Sequence, residues 1–150
     1  MNIYLDTSAL NRIFDDQSQP RIFLEASAML LVFGLIEKRI ISIVSSDVLV
    51  YENSRNPYAE RQIFVTSVLR NARVIQTLND SLAKRAQEIE VMGIKGLDAL
   101  HLACAERLKV DYFVTCDDRM IKKYTGTIIV VNPVELTMHV LQQEADNADS

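Results

Sequence analysis

Glycine is scarce in this sequence, with four residues in 150, at positions 34, 93, 96 and 126. Their spacing makes neither GxGxxG nor GxxxxGK(S/T), so dinucleotide and P-loop chemistries lack the backbone cradle each requires. Long apolar runs are missing too. The longest, Ala28 to Ile36, is about half of the ~20 residues a membrane-spanning helix needs, and Glu37-Lys38-Arg39 closes it. No transmembrane segment is expected. No basic region precedes an apolar stretch at the N-terminus, so no signal peptide is read there, and the mature chain is expected to begin near Met1. The two cysteines, Cys104 and Cys116, form no disulfide framework. Reduced, buried thiols in a cytoplasmic protein are the expectation. A basic excess is also lacking. The formal net charge of −4 argues against a broad electrostatic grip on nucleic acid, although Arg55, Arg61, Arg70 and Arg73 fall in one stretch that can present a local basic surface.

What is present is an alternation. Short runs rich in Ile, Val, Tyr and Phe recur at Ile3–Leu5, Ile40–Val44, Arg73–Gln76, Tyr112–Thr115 and Ile128–Val131, each too brief for a helix. Between them lie segments of three-and-four spacing: Ile22, Leu24, Ala28, Leu31 and Leu35; Tyr58 to Leu69; Leu82, Ala86 and Ile89; Leu97, Leu100, Cys104 and Leu108. Ser46 is placed to cap a helix running through Glu52, Asn79 to cap the third of these segments, and Gly96 precedes the fourth. Parallel neighbours need crossovers, and helices supply them. The expected fold is therefore a single-domain α/β unit, a three-layer αβα sandwich on a mainly parallel five-stranded sheet. It is expected to span residues 1–143, with 144–150 (EADNADS) a disordered tail.

In open α/β sheets, ligands bind at the carboxyl ends of the strands. Asp6 directly follows the first strand, Asp117 follows the fourth by two residues, and Asp98 opens a helix that can face the same edge. Glu52 lies on the helix after the second strand. Four carboxylates gathered at ~5 Å and an effective dielectric of ~20 repel by about 3 kcal/mol per pair, or ~20 kcal/mol over all pairs, more than a typical domain's stability. Such a cluster demands protons or cations. Carboxylate and water oxygens suit Mg²⁺ or Mn²⁺, whereas two isolated histidines and two buried cysteines make no zinc set.

The segment MNIYLDTSAL (Met1 to Leu10) resembles the opening strand and Asp-x-Ser of PIN domains. SDVLVYE (Ser46 to Glu52) and GLDALHLACAERLKVDYFVTCDDRM (Gly96 to Met120) are similar to the family's later acid-bearing blocks, in the family's order. The resemblance implies a metal-dependent nuclease with Asp6, Glu52, Asp98 and Asp117 as catalytic and metal-site acids. Ser8 and Thr115 match the hydroxyl positions beside them. Asp118 is the alternative fourth acid, though Thr-x-Asp favours Asp117 and leaves Asp118 as a helix cap. Many bacterial relatives are VapC-type toxins, which implies RNA as substrate, a cognate antitoxin as partner and a homodimer through the apolar helix Ile22 to Ile36.

Each residue also has a plainer reading: Asp6 as a strand-end turn residue, Asp98 and Asp117 as helix N-terminal charges, Glu52 as a solvated helix acid, and His101 as a satisfied, partly buried histidine. The chemistry expected from the whole set is phosphodiester hydrolysis. The alternative is a catalytically silent PIN-like module that binds a protein or RNA. Asp6-Thr7-Ser8 lacks the second acid of an aspartyl phosphatase, and Ile128–Val131 lacks the late lysine of a receiver domain.

Overall fold

All five expected strands lie within two residues of their expected bounds in the computed structural model, which describes residues 1–149. They are β1 (Asn2–Leu5), β2 (Ser42–Ser46), β3 (Ile75–Gln76), β4 (Tyr112–Val114) and β5 (Ile129–Val131). Between and after them run α1 (Thr7–Asn11), a 3₁₀ turn (Arg12–Phe14), α2 (Pro20–Glu37), α3 (Asp47–Ser54), α4 (Ala59–Leu69), α5 (Asp80–Val91), α6 (Leu97–Arg107), α7 (Asp118–Lys123) and α8 (Pro133–Asp149). The sheet order is β3-β2-β1-β4-β5, and every pairing is parallel. The expected αβα class holds, with the sheet wholly rather than mainly parallel. β3 is short, but Arg73 N–H to Ile43 O and Ser45 N–H to Val74 O, both 2.9 Å, extend its pairing over the expected segment.

This order fixes where a ligand belongs. From β1 the chain winds outward to β2 and β3, then returns to lay β4 on the other side of β1. The crevice between the carboxyl ends of β1 and β4 is the topological switch point. Asp6 and Asp117 leave the sheet there, and Asp6 N–H binds Val114 O at 3.1 Å.

The central strand is buried on both faces at Ile3, Tyr4 and Leu5, and the Tyr4 ring stacks on Phe113 with centroids 5.1 Å apart. On two helices the buried residues are not confined to the face their spacing predicts, although Ala28 and Leu35 of α2 and Leu100, Cys104 and Leu108 of α6 do meet the core. On α2 the buried side is Glu25, Ala26, Ala28, Met29, Val32 and Ile36, while Leu24 and Leu31 are exposed. The run is apolar nearly all round, so its periodicity carries no phase. On α6, Ala99 and every residue from His101 to Ala105 are buried, whereas Leu97 is exposed. Small alanines let this helix sit closely under α5.

Arg39 (φ 60°) and Lys109 (φ 53°) occupy left-handed positions that glycine commonly fills. Each ends a helix in a Schellman motif: Ile40 N–H reaches Leu35 O at 3.0 Å, and Val110 N–H reaches Ala105 O at 3.4 Å. α8 runs on through residues 144–148 to Asp149, where a frayed tail is expected from composition; Ser150 lies outside the described residues. Among the described residues no helix is long and apolar enough to cross a membrane.

Candidate functional site

Asp6 leaves β1 with extended backbone and caps α1. Its Oδ1 accepts from Ala9 N–H at 2.9 Å and from Ser8 Oγ at 2.6 Å. Ser8 Oγ in turn accepts from Cys116 N–H at 3.0 Å and lies 3.3 Å from Thr115 Oγ1, joining the end of β1 to the loop after β4. Asp6 as a whole is only 3 % exposed. Burial raises its pKa, against hydrogen bonds from Ser8, Thr115 and Ala9 and the proximity of His101.

Glu52 stands near the end of α3, whose N-cap is Ser46, accepting from Leu49 N–H at 3.1 Å. Its Oε1 accepts from Thr7 Oγ1 at 2.8 Å and is bonded to His101 Nε2. Burial pushes the Glu52 carboxyl up, but His101 and Thr7 outweigh it and hold it below the ordinary value.

Asp98 lies in the first turn of α6, started by Gly96 at φ 62° and ψ −132°. Burial first, then the neighbouring charges of Asp6, Glu52 and Asp117, raise its pKa to about 6, with His101 opposing. The two adjacent acids Asp117 and Asp118 differ in their surroundings. Asp117 is the cap of α7, accepting from Arg119 N–H at 2.9 Å, and it lines one cleft together with Asp98. Asp118, expected as the cap, instead forks to Arg21 with both contacts at 2.5 Å, is exposed, and is held below its ordinary pKa by that arginine. The reason is register: the helix begins at Asp118 itself, one residue earlier than a cap at Asp118 requires.

The four expected acids are thus brought into one electrostatic neighbourhood centred on Asp98. Among the described residues, no lysine or arginine pairs with any of them; the lone ionic partner is His101 on Glu52. Nor, among those residues, do three His, Cys, Asp or Glu side chains form a ready-made metal cage. The fit to a divalent ion therefore rests on the donor set. It is all carboxylate oxygen, matched to hard cations, and the elevated Asp98 pKa marks a site that favours added positive charge.

Two clefts open beside the acids. One of about 280 Å³ is lined by Thr7, Tyr51, Glu52, Arg55, Asn56 and Leu97. Another of about 300 Å³ combines Asp98 and Asp117 with Lys95, Arg119 and Lys123. Three arginines of the stretch expected to offer a local basic surface have close partners: Arg55 lies over Tyr51, Arg61 packs on Tyr58 and Phe14, and Arg73 bonds Asn2.

Behind Glu52 lie polar groups of which the sequence offers only His101, one turn after Asp98, as able to approach the site, with a satisfied histidine as the preferred reading. His101 is fully buried and satisfied, but its partner is Glu52 itself, with Tyr4 on the other nitrogen at 2.6 Å. Its position three residues after Asp98 on one helix was the available signal. For Thr7 there was none beyond its place between Asp6 and Ser8.

The family model described as PIN domain matches residues 3–126, so the chain belongs to the PIN-domain family. Among solved structures, a chain from the crystal structure of VapBC2 from Rickettsia felis bound to a DNA fragment from their promoter is 17% identical with a TM-score of 0.56. That match covers 88% of this chain and 98% of the other, and at this identity it speaks for the fold. A comparison with curated proteins returns no match.

Proposed function

We propose that this PIN-domain protein is a divalent-metal-dependent ribonuclease, acting in the cytoplasm as the toxin of a type II toxin-antitoxin pair. The observation that carries the reading is Asp98, raised to about 6 among three further carboxylates that, among the described residues, have no lysine or arginine partner. Asp6, Glu52, Asp98 and Asp117 would hold Mg²⁺ or Mn²⁺. When bound, the ion supplies charge to polarise the scissile phosphate and acidify the attacking water. The chain's own residues supply the rest. Ser8 fixes Asp6, Thr7 and His101 fix Glu52, and Lys95, Arg119 and Lys123 offer positive charge to phosphates at the cleft. Tyr51 with Arg55 beside Glu52 fits a stacked base of single-stranded RNA.

A protein partner is supported by exposed apolar surface. Phe23, Leu24, Leu30 and Leu31 of α2 suit a second copy of the chain. A groove of about 530 Å³ that includes Val50, Ile63, Leu69 and Ile75 suits an antitoxin. The related fold in the Rickettsia felis VapBC2 complex agrees with such a partner.

A catalytically silent binding module is the second reading, favoured by the lack of a ready-made ligand triad among the described residues. The test is purified protein with RNA, Mg²⁺ or Mn²⁺, and an EDTA control. Cleavage that requires metal and falls at least a hundredfold in Asp6→Asn and Asp98→Asn supports the nuclease. Cleavage undiminished in both variants removes these acids from the mechanism, and RNA binding without turnover supports the silent module.

A further inference from the structure

Behind the acids, one chain of hydrogen bonds runs from the core to the site. Leu49 N–H donates to Ser46 Oγ at 3.1 Å, Ser46 Oγ meets the Tyr4 hydroxyl at 2.6 Å, and that hydroxyl meets His101 Nδ1 at 2.6 Å. His101 Nε2 then reaches Glu52 Oε1, which also accepts from Thr7 Oγ1 at 2.8 Å. Tyr4, Ser46 and His101 are each 0% exposed. Buried polar groups are tolerated when partnered, and here each has its partner within the chain.

The donors and acceptors set the direction of the whole series. An ionised carboxylate only accepts, so His101 Nε2 carries the proton that faces Glu52. In the neutral ring Nδ1 is then a bare acceptor, and the Tyr4 O–H must donate to it. The Tyr4 oxygen is left to accept from the Ser46 O–H, and Ser46 Oγ takes the Leu49 N–H. Nothing in the series runs against its neighbour. Both bonds on Glu52 fall on Oε1, and among the described residues Oε2 has no hydrogen-bond partner.

A free glutamate loses rotamer freedom when it is ordered. A side chain already held through Oε1 meets that cost before any ligand arrives. We propose that His101, locked in its Nε2–H form by Tyr4, is a positioning residue that fixes Glu52 through Oε1 and so reserves Oε2 for the divalent ion. This rests on the metal-site reading given above. It assigns to His101 and Tyr4 a part in metal affinity that mere filling of the core would not require.

The test is a double-mutant cycle on Mn²⁺ affinity, measured by calorimetry on the native protein, Glu52→Gln, His101→Gln and the pair. The expected result is that each single variant binds more weakly, His101→Gln by roughly tenfold, and that the pair binds no worse than Glu52→Gln alone. Full additivity in the pair, or native affinity in His101→Gln, overturns the proposal while leaving the metal site standing. Native affinity in Glu52→Gln removes the carboxylate from the site and the proposal with it. Tyr4→Phe keeps the ring and removes only its donor, and it should weaken binding in the native background but not in Glu52→Gln. Independently, ¹⁵N NMR of the metal-free native protein should show His101 protonated at Nε2 and bare at Nδ1. The reverse tautomer overturns the proposal whether or not any variant folds.

Discussion

At the scale of single residues, the site is a balance of charge against burial, and Asp98 is where the balance is tightest. Its carboxyl is raised from the ordinary 3.8 to about 6, by burial and by three like charges. A carboxyl with a raised folded-state pKa contributes stability that is fully present below the unfolded value and is lost as pH rises through the folded one. Metal-free protein should therefore lose stability between pH 4 and pH 7 through this group. Asp98→Asn removes the titration, so in EDTA the variant should melt above the native protein at pH 7, with the difference shrinking toward pH 5. Mg²⁺ should raise the native melting temperature at pH 7 and leave the variant nearly unmoved. Thermal melts at the two pH values, with and without Mg²⁺, check all three points, and a variant less stable than native at pH 7 would contradict the charge argument. The acids themselves were legible, because strand ends locate Asp6 and Asp117 and the order of the acid-bearing segments picks out Glu52 and Asp98. What holds them was not. Ser8 and Thr115 lie near Asp6 in sequence or by motif, whereas Tyr4, Ser46 and His101 reach Glu52 only once β1, β2, α3 and α6 are assembled. A second expected outcome concerns the flank: Arg55→Ala should weaken RNA binding several-fold in a filter assay while leaving Mn²⁺ affinity unchanged, since Arg55 lines the cleft without pairing to an acid.

At the scale of elements, alternation of short β-rich runs with helical segments was enough to recover every strand and the crossover logic, since parallel neighbours leave few other topologies. Bounds and helix phase were less legible. α2 is too uniformly apolar for spacing to show its buried side, α6 buries small alanines and a histidine beyond its spaced apolar residues, and the Schellman ends at Arg39 and Lys109 carry no glycine to announce them. Where glycine does occur at a helix start, it is required. Gly96 holds φ 62° and ψ −132°, outside the regions open to side chains, although a Cβ there would meet nothing within 4 Å. Gly96→Ala should thus cost roughly 1–3 kcal/mol by backbone strain alone, read as a shift in the urea midpoint with an unchanged slope. Because α6 begins there, Asp98 should move with it. Metal affinity should then fall in Gly96→Ala, whereas the exposed control Lys84→Ala should change neither quantity.

At the scale of the molecule, α2 presents an apolar side to solvent. Its inner face packs on the 3₁₀ turn and on α8, and buried Glu25 is held there by Arg12 at 3.2 Å, by Arg21 at 3.4 Å and by Asn132. Those ties fix the phase of the helix. They turn Phe23, Leu24, Leu30 and Leu31 outward, from 43% to 59% exposed, as one row at helical spacing. Isolated exposed leucines need no explanation, but a contiguous row on a chain whose net charge of −4 otherwise favours separation does. If the row is a dimer face, light scattering at micromolar concentration should give twice the 17.0 kDa chain mass. Leu24→Glu with Leu31→Glu should then return the protein to monomer, with the melting temperature of the dissociated native chain retained because neither side chain is in the core. A native protein that is already monomeric, or a double variant that stays dimeric, would move the interface elsewhere. An acid site unaffected by dissociation would show that each chain carries a complete set of carboxylates, as the placement of Asp6, Glu52, Asp98 and Asp117 within one chain leads one to expect.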